Sequence, residues 1–327
     1  MNQYSAAEPI MNYLDRIHSR FLDCLKEGQP LCRMRKLSYT LRKFPSFEDY
    51  SDTDFQRYYL LRYGYAYAFE YKKIYELLLE PWQAAADCCN LNGQISVTSI
   101  GCGAMLDYWA LARVLENDCP RMPVSYEGID LVNWDESCRV RAVKGDHVCF
   151  FQEDAIRFLQ NKKSLDSHIY FFPKSISEFS TEDFQTLCGL FRDRPLYTHI
   201  SGCFHVVVSL REHEKSAETD YQRAMELKRA ILNNRAGREY ELVDERTKSS
   251  CKTLDPDSKI WELDGEFPRP SGIIDTVTGL YRFCGEFQSG RNSCGDTENC
   301  MEDLSRHPIL SGRYAHFVIL TFKRKSV

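Results

Sequence analysis

A glycine turn and three acids carry the chemistry legible in this chain. Gly101-Cys102-Gly103 follows a β-branched run at residues 97–100 and precedes a helical pattern through Tyr108, Leu111, Ala112 and Leu115. Strand, glycine turn and helix together aim backbone N–H groups at a bound ligand. Asp130 ends a second apolar segment, Glu127-Gly128-Ile129-Asp130. A carboxylate there can accept hydrogen bonds from both ribose hydroxyls of a nucleoside lying at a sheet's switch point. Asp154 stands between Glu153 and Ala155 after a third segment, where it can accept from an exocyclic adenine amine. Leu131 and Val132 offer apolar surface to an adenine face. A fourth segment runs into Pro173-Lys174-Ser175-Ile176-Ser177-Glu178. Lys174 can hold an anion or orient a carbonyl, and Glu178 can take a proton from an amine or hydroxyl, or pair with Lys174. A competing reading makes Ser175 and Glu178 a helix capping box of the Ser-x-x-Glu type.

The elements that must position these residues alternate. Strand patterns occupy residues 95–100, 124–129, 148–152, 168–172 and 196–201, and helical patterns fill 106–117, 135–143, 154–162 and 181–192. Such alternation predicts a parallel sheet covered on both faces. Farther on, 217–234 reads as a helix, 248–270 as irregular, and 281–287 and 314–323 as strands able to pair as an antiparallel hairpin. Ahead of the sheet, 8–28 carries apolar positions at helical spacing, and a second helix is predicted from Asp52 to about Leu79, ending before Pro81. That helix carries tyrosines at 59, 63, 67, 71 and 75. A repeat of four lays them along one face, either as a packing stripe or as a lid whose Arg62, Tyr63 and Tyr67 line a pocket.

The order Ile-Gly-Cys-Gly, Gly-Ile-Asp and Glu-Asp-Ala resembles the class I S-adenosylmethionine-dependent methyltransferases over residues 95–210. The resemblance implies a Rossmann-like α/β sheet, mostly parallel with an antiparallel C-terminal hairpin. It implies S-adenosylmethionine as cofactor, with Gly101 and Gly103 against its methionine part, Asp130 and Leu131 at the ribose and adenine, and Asp154 and Ala155 at the adenine. The tip of the fourth strand would face the transferring methyl, with Lys174 and Glu178 in the chemistry and Pro173 and Ser175 shaping the acceptor site. Two positions depart from the family pattern: Ser99 stands where many members have an acid, and Met105 where many have a third glycine. Asp107 either replaces a lost contact to the cofactor's amino group or caps its own helix. The implied organisation is a helical extension or lid over 1–90 and a methyltransferase domain over 91–327.

Other chemistries fit less well. Leu106 occupies the third-glycine place of a dinucleotide fingerprint, and no phosphate-binding Gly-x-x-x-x-Gly-Lys-Ser/Thr loop is present. Cys284, Cys294 and Cys300 with His307 lack the Cys-x₂₋₄-Cys spacing of a structural zinc site, so no metal is expected. Cys203 and His205 are alternate residues of one apolar run, which does not by itself make a nucleophile and base. A net charge of −5 argues for a small-molecule acceptor over nucleic acid; the exception is a basic stretch at 33–43, which would serve an RNA methyltransferase. A third reading is a catalytically inactive module that binds the cofactor or a partner. With 14 cysteines, no signal-peptide pattern and no apolar run near the ~20 residues a membrane span needs, a cytoplasmic, membrane-free protein is expected.

Overall fold

The computed structural model describes residues 8–26, 47–84, 94–116, 122–196, 203–236, 239–249, 254, 271–284 and 315–325. The basic stretch at 33–43 and Cys294, Cys300 and His307 lie outside them, as does most of 248–270.

Helix α1 (Ile10–Lys26) buries Ile10, Leu14, Ile17, Phe21 and Leu25, the stripe its spacing predicts. A short α2 (Phe47–Tyr50) leads to α3 (Thr53–Tyr59), whose N-cap is Asp52, accepting from the N–H of Asp54 at 2.9 Å and of Phe55 at 3.3 Å. One wide π-helical turn, Leu60–Gly64, joins α3 to α4 (Tyr65–Ala84). The helix therefore continues through Pro81, which was expected to interrupt it.

The remaining elements are β1 (Ile95–Ile100), α5 (Leu106–Leu115), β2 (Val124–Asp130), β3 (His147–Gln152), α6 (Ala155–Asn161), β4 (Ile169–Pro173), α7 (Thr181–Asp193), β5 (Cys203–Ser209), α8 (Glu214–Leu232), β6 (Tyr240–Lys248), α9 (Ser271–Thr278) and β7 (Phe317–Arg324). Seven strands form one sheet in the order β3-β2-β1-β4-β5-β7-β6. Strands β1 to β5 are parallel, and β7 runs antiparallel to both β5 and β6. The chain works outward from β1 to β3 and then returns to β4 on the other side, so the switch point lies between β1 and β4. Crevices for ligands open there, at the carboxyl ends of the strands.

Alternate residues of β4 feed two cores. Ile169 and Phe171 meet the apolar faces of α1, α4 and α5, while Tyr170 and Phe172 meet those of α6, α7 and α8. The N-terminal helices thus share one layer over the sheet with α5 and also form a wall above its carboxyl edge. Tyr71 and Tyr75 belong to that packing, their rings 5.4 and 5.2 Å from Phe171.

Two further sequence expectations are corrected, and a third falls largely outside the described residues. Residues 135–143 form turns instead of a helix, because the Asp135 carboxylate accepts the N–H of Ser137 at 2.9 Å and the Val140 N–H reaches Ala104 O at 3.1 Å. The fifth strand among the described residues is Cys203–Ser209; of the expected strand at 196–201, Leu196 makes an isolated bridge to Leu165 and the rest lies outside the described residues. Its Phe204, Val206, Val207 and Val208 are fully buried, and a run flanked on both sides needs no polar alternation. The hairpin partner of β7 is Tyr240–Lys248, whereas Tyr281, Arg282 and Phe283, the start of the predicted strand at 281–287, belong to a short 3₁₀ turn, Leu280–Phe283, and 285–287 lie outside the described residues. As an edge strand with a register shift between Leu242 and Asp244, β6 keeps a charged, solvated face that hides it from apolar pattern reading.

Among the described residues no helix is long and apolar enough to cross a membrane.

Candidate active site

The glycine turn is built by close approach. Gly101 takes φ +72°, and a Cβ there would stand 2.4 Å from Cβ of Ser175. Ser175 is held in place by its hydroxyl, which donates to Ile100 O and so ties the tip of β4 to the end of β1. Gly101→Ala is expected to cost more than about 2 kcal/mol, since overlap adds to left-handed backbone strain. Gly145→Ala, at φ +97° with nothing within 4 Å of the added carbon, isolates the backbone part; equal losses of urea stability would refute the overlap. Met105 keeps the left-handed conformation (φ 62°, ψ 37°) that a third glycine would adopt freely. The turn therefore survives the change of residue, with Met105 strained and its side chain buried.

Asp130 faces this turn from the tip of β2. One carboxylate oxygen accepts the Gly103 N–H at 2.8 Å and the other the Val132 N–H at 2.9 Å. Burial pushes its carboxyl up to about 6, against the hydrogen bonds from Val132, Gly103 and the Trp134 side chain. Beside it Leu131 is 54% exposed, an apolar surface that lines the cavity described below. At the tip of β3, Asp154 is the N-cap of α6, its Oδ1 accepting the Arg157 N–H at 2.9 Å.

At the tip of β4 the capping-box reading of Ser175 and Glu178 fails. The box of α7 is Ser180 and Asp183: the Asp183 N–H donates to Ser180 Oγ at 3.1 Å, and that hydroxyl donates to Asp183 Oδ2 at 2.6 Å. Ser175 is spent on Ile100, and the Glu178 carboxylate is left to the cavity. Glu178 is exposed to solvent, and the protein atoms crowded around its carboxyl together with the charge of Asp130 push it up to about 7, against the pull of Arg211.

Lys174 is not free to hold an anion and does not pair with Glu178. Its Nζ lies 2.9 Å from Glu70 Oε2, donates to Leu210 O at 2.8 Å and sits 5.1 Å from the Tyr67 ring centre. Glu70 is itself buried and accepts from Ser209 Oγ and the His316 N–H, each at 3.2 Å. Lys174 shares the left-handed backbone, φ 60°. Both non-glycine residues with positive φ among the described ones thus flank this site.

Asp107 lies behind the turn and does not line the cavity. It is fully buried and accepts the Tyr126 hydroxyl at 2.9 and 3.1 Å, with Ser99 next to the pair. The N-cap position of α5 is Met105 and carries no side-chain cap, so Asp107 does not cap its helix, and its side chain stands outside the cavity in which a cofactor's amino group would lie. Burial pushes its carboxyl up to about 6. A raised folded value means stability is full below the unfolded value near 4 and is lost as pH rises through about 6. Asp107→Asn should therefore gain on the unmutated protein between pH 4 and 7, on the order of 2–3 kcal/mol, in paired urea titrations.

These groups surround a cavity of about 680 Å³ over the carboxyl ends of β1 to β4, with a deeper compartment of about 120 Å³ beside the glycine turn. The volume lies in the range of small-molecule sites. Gly101, Asp130, Leu131, Asp154, Ala155, Lys174, Ser175 and Glu178 line the larger part, and Gly103 and Pro173 the deeper one. Tyr63 and Tyr67 form part of its wall, but Arg62 does not: it is buried, its guanidinium 5.3 Å from the Tyr63 ring centre. Tyr50, Tyr59, Trp134, Glu153 and Arg211 also line it. Tyr59 belonged to the visible tyrosine repeat and Glu153 to the Glu-Asp-Ala motif; Tyr50, Trp134 and Arg211 gave no local signal. His205 takes no part, being buried with its Nδ1 3.0 Å from Thr321 Oγ1.

No family model matches the sequence, and no curated protein matches it. Among solved structures the chain is similar to a SAM-dependent methyltransferase from Archaeoglobus fulgidus, with 12% identity over 77% of this chain and 94% of that one, TM-score 0.34. It is similar to the plantazolicin methyltransferase BpumL in complex with a monoazolic desmethylPZN analog and SAH, with 13% identity over 94% of this chain and all of that one, TM-score 0.36. Coclaurine N-methyltransferase bound to N-methylheliamine and SAH shows 10% identity over 77% of this chain and 70% of that one, TM-score 0.32. At these scores the likeness carries no argument, and the functional reading rests on the geometry of the site.

Proposed function

We propose that the chain binds S-adenosylmethionine at the switch point and transfers its methyl group to a small-molecule acceptor. One observation carries the reading: the glycine turn after β1, the acid ending β2, exposed Leu131 and the Asp154-Ala155 start of α6 all converge on one cavity. This donor set fits a nucleoside with a charged tail. Asp130 would hold the ribose, Leu131 and Val132 the adenine face, Asp154 and Ala155 the adenine edge, and the turn at Gly101 and Gly103 the methionine part.

When bound, the cofactor supplies an electrophilic methyl group. The protein's part is to place an acceptor in line with it, exclude water and manage the acceptor's proton. The tyrosines of residues 50–67 wall the cavity, in keeping with a lid role for the N-terminal helices. Glu178, with its carboxyl near 7, is the group suited to receive a proton. An unpaired carboxylate of this kind favours an active enzyme over an inactive binding module. The RNA reading depended on residues 33–43, which lie outside the described residues.

Calorimetry with S-adenosylhomocysteine tests the cofactor. Asp130→Ala is expected to weaken binding by about 10–100-fold, the range for hydrogen bonds to a charged group. No heat with the folded, unmutated protein would remove the proposal.

A further inference from the structure

Among the described residues, the two cations that line the cavity, Lys174 and Arg211, are engaged by carboxylates outside it. Lys174 is held by buried Glu70, and Arg211 donates through Nε and Nη2 to fully buried Asp220 at 3.2 and 3.3 Å. Capturing an anion with either would abandon a carboxylate that water cannot reach. The acids are placed the other way. The Glu178 carboxylate has no hydrogen bond or ion pair among the described residues, and Asp183 lies on the same wall. Tyr50, Tyr59, Tyr63 and Tyr67 also line this cavity. Rings and an unpaired carboxylate make a lining that recognises a cation and repels carboxylates and phosphates. Lys174 Nζ, 5.1 Å from the Tyr67 ring centre, already rests on this wall as a cation would.

We infer that the acceptor is an amine, which enters as an ammonium held between Glu178 and the tyrosine wall and is methylated on nitrogen. The inference rests on the methyltransferase reading above. The ammonium gives one proton to the Glu178 carboxylate. The freed nitrogen lone pair then forms the N–C bond as the C–S bond breaks, with that electron pair staying on sulfur. The product is an N-methylammonium, and Glu178 returns its proton to water. The charged and titratable groups facing Glu178 are Asp130 on β2, Arg211 after β5, Asp220 on α8, Tyr50 on α2 and Tyr71 on α4.

The test is calorimetry on protein loaded with S-adenosylhomocysteine, using phenethylamine, 2-phenylethanol and 3-phenylpropionate, which share a skeleton and differ in charge. The amine should bind tightest. Its affinity should rise about tenfold from pH 6 to pH 8 as Glu178 ionises through about 7. In Glu178→Gln the rise should vanish and the affinity at pH 8 should fall about tenfold. Lack of an amine preference with S-adenosylhomocysteine bound overturns the inference, as does a pH rise that survives in Glu178→Gln. Failure at the loading step counts against the cofactor reading instead.

Discussion

Lys174→Ala should lower the stability of this protein by about 3–5 kcal/mol, the cost of stripping one partner from a buried ion pair. The pair ties a helix to the edge of the sheet: Glu70 on α4, Lys174 at the tip of β4 and Leu210 after β5. Removal of the ammonium leaves the buried Glu70 carboxylate with Ser209 and the His316 N–H as its hydrogen-bond donors among the described residues. Burial already pushes the Glu70 carboxyl upward, and Lys174 is the main force pulling it down. In the variant that opposing force is gone. A carboxyl with a raised folded value gives its stability below the unfolded value and loses it as pH rises, so the deficit should be smallest near pH 4 and grow toward neutrality. Glu70→Gln combined with Lys174→Met should recover most of the loss, since no charge is left unpaired. Thermal unfolding of the two variants and the unmutated protein is the measurement, with a drop on the order of 10 °C expected for Lys174→Ala. An unchanged melting temperature would mean the pair contributes nothing. An anion-holding role for Lys174 would then have to be reconsidered.

The second large effect falls on rate. Glu178→Gln should slow methyl transfer to an amine by about 10²–10⁴-fold, the usual contribution of a positioned base. Because the carboxylate is the active form, kcat/KM of the unmutated protein should rise with pH and level off above about 7. That limb should be missing in the variant, with S-adenosylhomocysteine binding retained. The profile separates chemistry from structure: a merely structural glutamate would change the rate without removing the limb. Transfer of a labelled methyl group to the bound amine probe supplies the readout. A variant with full rate would show that Glu178 takes no proton.

Part of this site was legible because its signals are local. The β-branched run into Gly101-Cys102-Gly103 encodes a strand and turn within a few residues, and Asp130 and Asp154 mark the ends of neighbouring strands. Parallel strands joined by crossovers bring such ends to one edge whatever the side chains between them. Period-four tyrosines likewise declare a common face. Where a segment is held by side-chain bonds to its own backbone, as at Asp135 and Ser137, pattern reading predicted a helix that does not form. A solvated edge strand such as β6 escaped because only one of its faces is covered.

The sequence alone therefore determined the parallel α/β plan, the glycine turn and the acids at the strand tips, all consequences of short-range backbone preference. Only the tertiary structure decided what each polar group does. Met105 holds a left-handed turn, Asp107 is drawn behind it by Tyr126, and Lys174 is claimed by Glu70 from a helix 104 positions away. Glu178 is released to the cavity because Ser180 and Asp183 cap α7 in its place. Partners far apart in sequence set burial and pairing. Burial and pairing in turn decide whether a carboxylate is a strut or a base.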